Sequence, residues 1–182
     1  MDKKKLIAEY GKKLCEKDLV ISSGGNISLK KDDVIVIKKR ETSMLDGNPE
    51  DYAEIRAGED QGFNKDLSSE TPLHIACYEA REDVNAVIHV HSPFTVAVAQ
   101  KVTELKSTSY EFDCILKKEV PSIEYIQPGS EMLAKAVGEK ISRGANAVLL
   151  KKHGAISVGE SIEQAYFRIL ALERACITFL NI

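Results

Sequence analysis

Two closely spaced pairs of apolar runs constrain what this chain can fold into more than any other feature. Ile27-Ser28-Leu29 is followed four residues later by Val34-Ile35-Val36-Ile37, and Ala147-Val148-Leu149-Leu150 is followed four residues later by Ala155-Ile156-Ser157-Val158. Gaps this short close hairpins and cannot carry the crossover that joins parallel strands, which argues against a purely parallel sheet. Helical periodicity occupies the rest of the chain. Leu6, Ile7, Tyr10 and Leu14 predict a helix over about 3–17, and Ile162, Ala165, Tyr166, Ile169 and Leu172 form the stripe of a last helix over 161–179. A mixed or mainly antiparallel sheet covered by helices, an α/β fold, fits this alternation.

Further elements follow from punctuation. Ser68-Ser69-Glu70-Thr71-Pro72 opens a helix to about Ala80 with Ser69 as the expected N-cap, and Ser92-Pro93 opens another through Gln100. Ala86 to Val90 reads as a buried strand, Tyr52 to Arg56 as a short one, and Gly129-Ser130 precedes a helix to about Ser142. Residues 40–66 are turn-rich, including Gly58 to Gly62, and 101–128 has no clear pattern.

A length of 182 residues fits one domain, 1–182. A net charge of -3 argues against a nucleic-acid partner, and no apolar stretch reaches membrane length. The basic runs Lys3 to Lys5 and Lys38 to Arg40 read as solvated surface. Cys15, Cys77, Cys114 and Cys176 are far apart, and no leader-like segment opens the chain, so a reducing cytoplasmic location is expected.

The chemistry centres on His89 and His91. Residues two apart on a strand project from one face, so both imidazoles can reach one ion. A catalytic zinc, or another divalent metal, takes three protein ligands and keeps one position open, and His153 beside Gly154 at a hairpin turn is a plausible third. The bland alternative is three partly buried polar side chains. His74, four residues after Glu70 on one helical face, is an alternative third ligand, though packing or hydrogen bonding near the site suits it better. Glu70 is the acid/base candidate, or else a carboxylate favoured by the helix dipole. Ser68, Ser69 and the loop Ser22 to Asn26 offer hydroxyls, an amide and backbone N–H groups suited to an anion, although each alone is a turn or a cap.

As an ordered set these segments resemble the class II aldolase/adducin family: Ser23-Gly24-Gly25-Asn26-Ile27-Ser28, Ser68 to His74, Asn85 to Pro93, Pro128 to Glu131 and Leu149 to Gly154. The resemblance spans nearly the whole chain. It implies a three-layer α/β/α arrangement with a mainly antiparallel central sheet, and a homotetramer with sites between subunits. It also implies His89, His91 and His153 as metal ligands, Glu70 as acid/base, Gly25, Asn26, Ser68 and Ser69 around a substrate phosphate, and Tyr110 as an active-site tyrosine. The implied activity is cleavage of a small phosphorylated ketose, such as fuculose 1-phosphate, to dihydroxyacetone phosphate and an aldehyde. Epimerisation, dehydration, decarboxylation or a non-catalytic adducin-like role are the alternatives within the family.

Two departures stand out. Where many relatives have a Thr-Pro-Ser/Thr-Gly phosphate loop, this chain reads Lys38-Lys39-Arg40-Glu41 before Thr42-Ser43, cations that could meet an anionic substrate or equally be solvated. Fuculose-phosphate aldolases also continue into a tail that brings a tyrosine to the adjoining site, whereas this sequence stops at Ile182, which leaves that protonating group unmatched.

Overall fold

The computed structural model describes residues 2–58, 64–107 and 109–181. Part of the turn-rich Gly58 to Gly62 stretch lies outside them. The expected hairpins form: strands β1 (Asn26–Lys31) and β2 (Val34–Lys38) pair antiparallel, as do β7 (Ala147–Leu150) and β8 (Gly154–Gly159). With β3 (Tyr52–Arg56), β4 (Ala86–Val90), β5 (Glu104–Leu105) and β6 (Val120–Ile123) they build one sheet in the order β3-β2-β1-β4-β8-β7-β6-β5. Among the described residues only β6 and β7 pair in parallel, and a crossover helix joins them, so the sheet is mixed but mainly antiparallel.

Helices cover both faces. Ile7, Leu14, Ile27, Ile88, Val90, Ala155, Ile169 and Leu172 share one buried cluster, which joins α1 (Lys3–Glu16) and α6 (Ile162–Asn181) to one sheet face. The short helices α3 (Pro93–Ala99) and α4 (Tyr110–Ile115) complete that layer. Ile35, Ile37, Val87, Val148, Ile156 and Val158 point the other way, onto α2 (Thr71–Ala80) and α5 (Glu131–Ser142). The period of two along the strands sorts the residues between these layers, and burial of roughly 25 cal/mol per Å² of apolar surface holds them together. The result is a three-layer α/β/α stack.

Two local expectations are corrected. Ser69 is not the N-cap of α2. That position is Glu70, whose side chain makes no capping bond; Pro72 has no N–H to offer it, and the Leu73 N–H goes to the Glu70 carbonyl at 3.0 Å. Ser68 instead fastens the turn: its hydroxyl accepts from the Glu70 N–H at 3.3 Å and its carbonyl accepts from the Thr71 hydroxyl at 2.7 Å. Lys38 is not solvated either. It is only 2% exposed, with its ammonium donating to the Ser23 and Lys39 carbonyls at 3.1 and 3.2 Å. Among the described residues no helix is long and apolar enough to cross a membrane.

Candidate metal centre

The centre of the sheet brings three histidines together. His89 is the penultimate residue of β4, fully buried and on the face that carries α2. His91 lies just past the strand end, open to solvent on one side. His153 sits in the β7–β8 turn, closed by its own N–H to the Leu150 carbonyl at 3.1 Å. Gly154 lets that turn close onto β4, since a Cβ there would collide with the Val90 carbonyl. Gly25 does the same on the opposite side: at φ +65° its missing Cβ leaves room for the His89 carbonyl, which it would meet at 2.8 Å.

The His89 Nε2 lies 2.9 Å from that of His91 and 3.2 Å from that of His153, and one ligand nitrogen from each of the three falls within 4.8 Å of the others. Tetrahedral zinc with bonds of about 2.0 Å would set its ligand atoms about 3.3 Å apart. His89 Nδ1 lies 3.0 Å from the Ala155 carbonyl. A carbonyl only accepts, so this nitrogen carries the proton and the Nε2 lone pair points inward, as a metal-ligating imidazole requires. Burial lowers the proton affinity of all three rings. His89 falls well below its usual range, His153 to about 4, and His91 in the same direction with the Lys38 ammonium adding to the effect. Three neutral imidazoles with converging lone pairs form a donor set that can hold a metal ion.

A cleft of about 180 Å³ opens onto this cluster. Gly25, Asn26, Ser68, Ser69, Glu70, His91 and His153 line it, with His89 beneath. Glu70 is only 5% exposed, and neither carboxylate oxygen has a hydrogen-bond partner among the described residues. Burial raises its pKa, and the nearby Gly129 N–H opposes that rise without reaching hydrogen-bond geometry. An orphaned carboxylate beside three neutral imidazoles suits a site built around a cation and an exchangeable proton.

His74, the alternative third ligand, is absent from the cluster and lies buried under Asn26. Tyr110 does not reach the cleft within one chain. As the first residue of α4 it is 83% exposed, and α4 packs on α6. Several lining residues were not singled out as site residues from the sequence. Pro128 precedes α5, whose N-terminus comes against Ser69, and Lys38, Arg40 and Glu41, which stand where the sequence departs from the expected phosphate-loop motif, form another wall. Only the break in that motif pointed to them.

Comparison with known proteins agrees with this geometry. The family model described as the class II aldolase and adducin N-terminal domain matches residues 5–180. L-fuculose phosphate aldolase of Methanocaldococcus jannaschii is 32% identical over 100% of this chain and 98% of its own length. The 5-deoxy-D-ribulose 1-phosphate aldolase of Bacillus thuringiensis serovar kurstaki is 33% identical over 88% of this chain and 76% of its own. The crystal structure of L-fuculose-1-phosphate aldolase from Thermus thermophilus superposes with a TM-score of 0.88 at 25% identity, covering 96% of this chain and 91% of that one. With the family model matched over nearly the whole chain and a relative above 30% identity covered almost end to end, this chain belongs to the class II aldolase and adducin family.

Proposed function

We propose that this protein is a metal-dependent aldolase that cleaves a small phosphorylated ketose, of the fuculose 1-phosphate or 5-deoxyribulose 1-phosphate type, to dihydroxyacetone phosphate and an aldehyde. One observation carries the reading: three converging imidazoles and an unpartnered, buried Glu70 carboxylate belong to one small cleft. The family relatives supply the substrate class, since both sugar phosphates appear in the names of aldolases at about the same identity.

His89, His91 and His153 would hold a divalent metal, most simply zinc given their all-nitrogen donor set. Such an ion supplies a Lewis acid that polarises the substrate carbonyl. The chain's own residues do the rest. Glu70, kept ready to bind a proton by its dry surroundings, moves the proton at the carbon where the bond breaks. Asn26, Ser68, Ser69 and the Gly25 backbone offer donors to the phosphate, and Lys38 and Arg40 add positive charge to the same wall. Tyr110 acts from a neighbouring copy, a role supported by its exposure and by the tetramer that the family resemblance implies. The free cysteines fit action in the cytoplasm, with the whole chain working as one domain.

The test is direct. Metal-loaded protein is incubated with each ketose phosphate, and dihydroxyacetone phosphate release is followed by a coupled dehydrogenase. Release from one of them identifies the substrate type. No release from either, with metal bound, refutes the aldolase.

A further inference from the structure

Beneath the cleft lies a continuous buried polar chain. Ser28 Oγ is 2.6 Å from His74 Nδ1 and 2.5 Å from the Tyr78 hydroxyl, and His74 Nε2 makes a short hydrogen bond to Asn26 Oδ1. Ser28 and His74 are wholly buried, and Asn26 and Tyr78 are 4% and 5% exposed. The arrangement comes from matching two periods. Asn26 and Ser28 are two apart on β1, and His74 and Tyr78 are one turn apart on α2. Asn26 also lines the cleft, and in the sheet it sits opposite His89.

The His74 proton can sit on either nitrogen, and the two cases place the buried hydroxyl hydrogens differently. With no carboxylate among its partners and no exposed surface, the His74 ring is neutral, so one nitrogen donates and the other accepts. With Nδ1 protonated, His74 donates to Ser28, and Ser28 either donates to Tyr78 or accepts from it as well. Either the Tyr78 or the Ser28 hydroxyl hydrogen then has no acceptor, because among the described residues Tyr78 bonds only Ser28 and Ser28 bonds only His74 and Tyr78. Leaving a buried donor unmatched is costly. With Nε2 protonated, Tyr78 donates to Ser28, Ser28 donates to His74 Nδ1, and His74 Nε2–H donates to Asn26 Oδ1. Every buried hydrogen is then placed, and the Asn26 oxygen is used up inside the protein.

We propose that His74 is a positioning residue that locks the Asn26 amide with its NH2 toward the cleft, so that this wall selects an anionic, acceptor-only oxygen of the substrate. The amide's orientation stands on the hydrogen-bond chain alone. The identification of that oxygen as phosphate rests on the aldolase reading above.

The experiment uses the full chain labelled with 15N-histidine, whose four imidazoles are assigned with the help of His74→Gln. The His74 ring should show a protonated Nε2 and an unprotonated Nδ1. A protonated Nδ1 overturns the orientation. Inorganic phosphate is then titrated against wild type and variants. His74→Phe, which cannot donate, should bind phosphate about tenfold more weakly. His74→Gln, which keeps a donor and an acceptor, should recover to within about threefold of wild type. Equal binding by wild type and His74→Phe, or no phosphate binding by wild type, overturns the selection of an anion. If the tautomer is as stated but no ketose phosphate is cleaved, the aldolase falls and the positioning stands. If cleavage proceeds with the reversed tautomer, the positioning falls alone.

Discussion

The four histidines divide into two regions that share a sheet face and differ in one respect. His74 is fully enclosed and both ring nitrogens are occupied by protein partners. The cluster of His89, His91 and His153 also lies against the sheet, but there the protein provides a carbonyl for His89 Nδ1 and leaves the Nε2 atoms facing one another. Burial alone therefore does not separate a structural histidine from a functional one. What separates them is whether the fold completes the ring's hydrogen bonding or leaves a lone pair for something else.

Replacing a member of the cluster should break the contrast most severely. His89→Ala or His153→Ala is expected to lose bound metal and at least about 10³-fold in aldolase activity, read by elemental analysis beside turnover, and chelation of the wild type should do the same reversibly. His74→Gln should keep its metal, and a loss equal to that of His89→Ala would erase the distinction. Next in size is Glu70→Gln, with kcat lower by about 10²–10⁴-fold and metal content unchanged. A smaller effect is expected for Lys38→Met: the buried ammonium adds charge to the cleft wall, so KM for the ketose phosphate should rise about tenfold with little change in kcat.

Stability sharpens the comparison without any change in turnover. Burial pushes His74 down to about 3 from an ordinary value of 6.5. The unfolded chain therefore takes up a proton below 6.5 that the folded chain refuses until about 3. This contribution is complete above pH 6.5 and is lost as pH falls through that window. His74→Gln should remove one proton's share of the acid slope, at most about 1.4 kcal/mol per pH unit, measured as urea unfolding at several pH values.

Much of this was open to reading in the sequence for physical reasons. The hairpins were visible because Ile27 to Leu29 and Val34 to Ile37 are apolar and separated by a short polar gap, and the buried strand Ala86 to Val90 appeared with the bounds expected. The stretch 101–128 resisted, since β5 is a two-residue strand at the sheet edge and α4 buries only Phe112, leaving almost no periodic signal. His89, His91, His153 and Glu70 could be proposed because strand parity and a helix start place them by local rules. Lys38 was legible only as one of two alternatives, a solvated cation or one that meets an anionic substrate, because a lysine ending a strand is normally solvated. Its ammonium donates to the Ser23 carbonyl, fifteen positions away in sequence, a contact that no local pattern announces.

The place of β4 in the strand order has a kinetic consequence. It lies inside the sheet with β1 on one side and β8 on the other, so amide hydrogens along Ala86 to Val90 should exchange with deuterium only when the sheet itself comes apart. Across the cleft, Gly24, Arg40 and Glu41 belong to turns outside the strands and should exchange through small local openings. One wall of the cleft is thus clamped by the sheet, while the other should open at a lower cost.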